Sequence, residues 1–114
     1  VDLYWLTSGN FTSVPDLSRS PGDFVLEPNH PNPFNPQTTI RYHLNSSAKV
    51  DLRVYDSAGR LVQVLVDGVE LMAGRHTAVW GGRDDMGRSV ASGTYHYRLE
   101  LNGQAKTGTM SLVR

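Results

Sequence analysis

A chain of 114 residues has the size of one domain, able to bury roughly two thirds of its unfolded surface and to fold without covalent staples. It has no cysteine, which removes thiolate nucleophiles and thiolate-held metals, and its 11 Lys+Arg balance 11 Asp+Glu, so no net field draws it to nucleic acid or anionic lipid. No apolar run approaches the ~20 residues of a membrane-spanning helix; the longest, Leu61–Val66, is interrupted by Gln63.

The chain opens without methionine, a basic segment or an apolar signal core, so a secretory leader is expected to have been removed or to lie upstream. Val1–Leu6 alternates loosely, with Val1, Leu3 and Trp5 on one face of a candidate strand. Thr7–Gly22 is rich in Ser, Thr, Pro and Gly and has no sustained period. It reads as a linker, so residues 1–22 form an arm and 23–114 the domain. Asn10-Phe11-Thr12 and Asn45-Ser46-Ser47 fit the glycosylation acceptor triplet, a pattern common by chance.

Asp23–Leu26 is a short apolar strand. In Glu27–Pro36, four prolines (Pro28, Pro31, Pro33, Pro36) fix φ and remove amide donors, which rules out the interior of a strand or helix. This segment is expected to run as an extended bridge, with Asn29, Asn32 and Asn35 closing local turns and Phe34 plugging the end of the core. Strands then follow at Thr38–Leu44, Lys49–Tyr55 and Leu61–Val66. Asp56-Ser57-Ala58-Gly59 is a type I turn joining the last two, and Asp67-Gly68 marks a reversal. Val69–Gly74 has room for one helical turn at most.

The centre of the pattern is Arg75–Leu101, where alternating runs at Arg75–Trp80 and Thr94–Leu101 flank a glycine-rich connection and read as a strand–turn–strand unit. Trp80 and the Tyr95, Tyr97, Leu99, Leu101 stripe supply a core, provided the indole N–H and phenol O–H find partners. Asn102-Gly103 is the strongest hairpin signal in the chain, and Gln104–Val113 returns with Met110 and Leu112 on one face. Seven strands at this spacing predict an all-β fold, an immunoglobulin-like antiparallel sandwich, with a small barrel as the alternative.

Little in the sequence carries chemistry. None of His30, His43, His76 and His96 has a metal-ligand spacing, although His43 and His96 on solvent faces allow a cross-strand site. There is no Gly-x-Ser-x-Gly elbow, and an enzyme is not expected. No cofactor and no catalytic or metal residue is assigned. Asp84-Asp85, with Asp56 on another loop, is a conceivable calcium cluster, against the plainer role of capping turns. Tyr4, Trp5 and Tyr55 with the strand tyrosines suggest a sugar-stacking platform, although Tyr42, Tyr95 and Tyr97 fall on apolar faces.

Leu26–Arg114 resembles the C-terminal sorting domain of proteins exported by the bacterial type IX secretion system and, more distantly, the Ig-like domain of the flagellar hook-capping protein. The resemblance is carried by Pro31-Asn32-Pro33-Phe34-Asn35-Pro36 before Thr38-Thr39-Ile40, Val54-Tyr55-Asp56 with Gly59-Arg60, and Ala73-Gly74-Arg75-His76 before Trp80 and Gly82. Further matches are Ala91-Ser92-Gly93-Thr94-Tyr95-His96-Tyr97-Arg98-Leu99 and the final Leu112-Val113-Arg114. Gly81, where the family commonly has Asp or Asn, and Asn45, where Pro is frequent, depart from the pattern, as does the short stretch before the module. The resemblance implies a secreted or surface-attached, non-catalytic module recognised by export machinery, with Pro33, Phe34, Asn35, Pro36, Leu112, Val113 and Arg114 as the surface it presents. Two other functions stay open. One is a filament subunit that binds copies of itself through Val1, Leu3 and Trp5 as a donor strand; the other is a carbohydrate-binding module using Tyr55 or Trp5.

Overall fold

The computed structural model describes residues 24–114, and these form strands and no helix. The strands are β1 (Phe24–Leu26), β2 (Thr38–Leu44), β3 (Ala48–Asp56), β4 (Leu61–Leu71), β5 (Gly74–Trp80), β6 (Gly93–Leu101) and β7 (Gln104–Leu112). They pair antiparallel into a three-stranded sheet, β1-β2-β5, and a four-stranded sheet, β4-β3-β6-β7. The architecture is the sandwich, not the barrel.

The core follows from period-2 alternation. β2 buries Thr38, Ile40, Tyr42 and Leu44, β3 buries Ala48, Val50, Leu52 and Val54, and β6 buries Tyr95, Tyr97, Leu99 and Leu101. Each fully buried aliphatic side chain contributes about 1.5–3 kcal/mol, and a one-residue slip would turn a whole set outward, so register is tightly held. Trp80 is completely buried between Phe34, 5.6 Å away, and Tyr95, 5.1 Å away edge-on. The polar tips are satisfied as they must be. Trp80 Nε1–H donates to Arg83 O at 2.9 Å, Tyr95 O–H to Ala91 O at 2.6 Å, and Tyr97 O–H to Glu27 O at 3.1 Å.

Two readings of the sequence are corrected. The runs Arg75–Trp80 and Thr94–Leu101 are strands, but they do not form a hairpin: β5 pairs with β2, whereas β6 lies between β3 and β7 in the other sheet. The connection between them crosses from sheet to sheet, and its glycines serve an internal loop in which Val90 N–H donates to Gly82 O and Asp84 N–H to Arg88 O. Nor does Asp67-Gly68 reverse the chain. β4 runs through it to Leu71, and Gly68 (φ +61°) is the extra residue of a bulge, since Val50 pairs with Val69 while Asp51 pairs with Asp67. No helical turn forms at 69–74.

Candidate functional site: the seam between the proline-rich bridge and the last strand

β7 ends the larger sheet, and an end strand exposes a row of unpaired backbone groups. The bridge, Glu27–Pro36, covers the C-terminal part of that row, from Thr109 to Val113. Phe34 N–H donates to Ser111 O at 2.9 Å and Val113 N–H to Phe34 O at 3.0 Å, a parallel bridge that brings Phe34 beside Leu112. One step earlier the Asn32 side chain imitates a backbone unit: its Nδ2 donates to Thr109 O at 3.3 Å and its Oδ1 accepts Ser111 N–H at 3.0 Å. Prolines permit this because a segment joined to the sheet at single points needs only the donors of the residues between them. Of the expected Asn turns, Asn29 makes one, donating to Pro31 O at 3.3 Å, and Asn32 reaches across to β7 instead.

Phe34 and Leu112, each 2% exposed, face inward, so Phe34 is the plug its sequence context suggested, and the expectation that these two side chains belong to the presented surface is corrected: they are core. Pro33, Asn35, Pro36, Val113 and Arg114 remain at the surface. The structure therefore brings the two separated sets, 33–36 and 112–114, into one seam.

Arg114 fastens its end. The Arg114 guanidinium donates through Nε to Val90 O at 2.7 Å and through Nη2 to Gly82 O, and its amide donates to Ser92 Oγ at 3.0 Å. Gly82 makes room for this: its φ is +71°, and a Cβ there would lie 2.7 Å from Arg114 Nη2 and 3.2 Å from Pro36 O. Gly82 and Ser92 stand in the motifs that carry the resemblance, but neither they nor Val90 had been connected with Arg114. The only local hint is a glycine two residues after the core tryptophan.

At the other end of the bridge, the Tyr97 ring lies across Gly108, its partner on β7, where any Cβ would overlap it. The phenol donates to Glu27 O and accepts Asn29 N–H at 3.1 Å, tying the bridge to the larger sheet. Burial pushes the Tyr97 phenol above its ordinary pKa, as it does those of Tyr42 and Tyr95. An open cleft of about 270 Å³ lies beside it, lined by Leu26, Glu27, Pro28, Tyr97 and Thr107–Thr109.

The remaining sequence candidates are not assembled. His43 and His96 lie on the outward-facing sides of different sheets, so they do not share a site. The carboxylates considered for calcium are committed to backbone. Asp56 and Asp84 open two copies of one turn, Asp56-Ser57-Ala58-Gly59-Arg60 and Asp84-Asp85-Met86-Gly87-Arg88. In each, Oδ1 accepts the amides two and four residues on at 2.9 Å, while Oδ2 takes the Arg Nε. The amides of Arg60 and Arg88 are the main reason both carboxyls sit below the usual range. Asp85 accepts Val64 N–H at 3.1 Å. Among the described residues no group of three His, Cys, Asp or Glu converges on a metal-sized space.

Asn45 is half-buried, and its amide nitrogen is shielded from solvent with no partner among the described residues. Tyr42, Tyr95 and Tyr97 are core, leaving Tyr55, partly exposed on β3, of the strand tyrosines. Val1, Leu3, Tyr4, Trp5 and Asn10 lie outside the described residues.

Two antiparallel sheets closed over one indole without a disulfide define an immunoglobulin-like β-sandwich of the non-antibody kind. The chain belongs to the FlgD Ig-like domain family, whose model matches residues 35–105, so the seam is built largely from the two flanks of the matched span. It is similar to dimeric latent PorU from Porphyromonas gingivalis, at 25% identity and a TM-score of 0.66, over 82% of this chain and 10% of that one. It shares its fold with PorZ of the same organism, an essential bacterial surface component of the type-IX secretion system. There the identity is 22% and the TM-score 0.53, over 78% of this chain and 11% of that one. It also shares its fold with FlgD from P. aeruginosa, at 21% identity and a TM-score of 0.50, over 80% of this chain and 73% of that one. The chain thus spans about a tenth of the length of PorU and PorZ. No curated protein has a sequence significantly similar to it.

Proposed function

We propose that this domain is a non-catalytic sorting and surface-attachment module of a secreted bacterial protein, and that the seam is the face it presents to outer-membrane export machinery. The observation that carries the reading is the union of residues 33–36 with 112–114. Two sets remote in sequence, both part of the sorting-domain resemblance, share backbone hydrogen bonds, with Pro33, Asn35, Pro36 and Val113 outward. The likeness to PorU and PorZ supports the same setting. The outward groups of the seam are prolines, an amide, a valine and an arginine already engaged by carbonyls, so binding is the chemistry this surface offers.

The test is a secreted reporter fused ahead of the domain in a bacterium with this export system. Deleting Thr107–Arg114 removes most of β7, and the reporter is expected to stay in the periplasm. Val113→Asp, at a residue 53% exposed, changes only the outward face and is expected to reduce surface display several-fold with the fold intact by circular dichroism. Unchanged display of both variants would refute the reading.

A further inference from the structure

Among the described residues, the side of the sandwich away from the seam is left uncovered. β4 and β5 are the end strands of the two sheets there, and they meet across the connection Met72-Ala73. Asp85 covers the start of β4, donating its amide to Val62 O at 3.0 Å and accepting Val64 N–H. Beyond Val64, no loop or side chain among the described residues hydrogen-bonds to the outer edge of β4, and none to that of β5.

This edge is also apolar. The open part of β4, Leu65–Leu71, carries Leu65, Val66, Val69 and Leu71 and no Pro, with Asp67 and Glu70 as its charges. Of the seven large apolar side chains well exposed among the described residues, five belong to β4, β5 or the loops joined to them: Leu61, Val69, Met72, Val79 and Met86. The charges at one end are of opposite sign on the two strands. Asp67 and Glu70 close β4 and Arg75 opens β5; all three are exposed, and none is in an ion pair among the described residues.

We infer that this side binds the same side of a second copy around a two-fold axis running along the strands. Within one copy β4 arrives at the Met72-Ala73 connection and β5 leaves it, so that axis lays β4 antiparallel to the second copy's β5. It also sets the Asp67–Glu70 end against the second copy's Arg75. The three-stranded sheet of each molecule continues into the four-stranded sheet of the other, giving two seven-stranded sheets with all four open edges paired. The alternative axis, perpendicular to the strands, pairs β4 with β4 and sets the acidic end towards the start of the other β4, where Arg60, Arg83 and Arg88 are already engaged by Asp56, the Gly87 carbonyl and Asp84. Charge complementarity selects the first. A net charge of zero leaves no long-range repulsion to oppose it.

Sedimentation velocity on the 114-residue chain over a concentration series tests this, independently of the sorting assay. A monomer–dimer equilibrium is expected. Glu70→Arg and Arg75→Glu, both at exposed positions, should each weaken it about tenfold, and the double variant should restore it. A monomer at every concentration overturns the inference. So does a dimer indifferent to both single reversals, a double variant no better than the singles, or a dimer lost when residues 1–22 are removed.

Discussion

The two sides of this sandwich solve the same problem differently. On the β1/β7 side the exposed strand edge is covered from within the chain. Asn32 and Phe34 occupy Thr109–Val113, and Lys106, bonded to the Phe24 carbonyl over the Phe24 ring, places an ammonium at the other end of β7. An inward-directed lysine and a proline-fixed strap are both recognised means of refusing a foreign strand. On the β4/β5 side, among the described residues, one aspartate covers two residues of the edge, and large apolar groups are exposed. The difference teaches that edge protection is a local choice of sequence, and that stability should concentrate where the chain closes on itself.

That contrast can be broken most directly at Phe34. Phe34→Ala removes a ring 2% exposed and packed on Trp80, and is expected to cost about 3–5 kcal/mol in urea unfolding. Gly108→Ala should come next, at about 1–3 kcal/mol, because the new methyl displaces the Tyr97 ring and with it the phenol's bonds to Glu27 and Asn29. Asn32→Ala frees Thr109 O and Ser111 N–H at the partly wetted edge and is expected to cost about 0.5–1.5 kcal/mol, read in the same way. By contrast Met72→Gln, on the open side at 78% exposure, should shift stability by no more than about 0.5 kcal/mol. A large loss there, or a small one at Phe34, would reverse the comparison.

The twin turns sharpen it by pH. Asp56 and Asp84 have carboxyls depressed by folding, so the stability they contribute is present above the ordinary carboxylate value and fades as pH falls through the lower native one. Loosening of both turns is therefore expected only below about pH 4. It should be visible as shifts of the Ala58 and Met86 amides in NMR titrations, and Asp84→Asn should abolish it at Met86 alone.

Alternation made much of the fold legible: the places of the seven strands, the buried faces of β2, β3, β6 and β7 and the plug at Phe34 follow from the pattern of residue types, whereas β4 runs five residues beyond its expected end and buries no side chain fully. Pairing was not legible. A glycine-rich connection between Trp80 and Gly93 has the composition of a hairpin turn, yet nothing local distinguishes it from a loop that changes sheets. Gly68 likewise has the same signature in a bulge as in a reversal. The seam was half legible, because Pro and Phe announce the bridge. The anchorage of Arg114 rests on carbonyls 24 and 32 residues away, which no spacing rule reaches. The second Asp-x-x-Gly-Arg turn also had a signal, since residues 84–88 repeat 56–60 at the Asp, Gly and Arg positions, and capping a turn, the plainer role expected of Asp84, is the one it plays.

The parallel sense of the Phe34–Leu112 bridge has a mechanical consequence. If the two ends of the domain are pulled apart, the bridge is drawn one way and the last strand the other. The bonds at Ser111 and Val113 and those of Asn32 are then loaded together along the strand axis rather than one after another. Shear of that kind resists tension far better than unzipping, so a molecule tethered through this domain would hold its tail against drag.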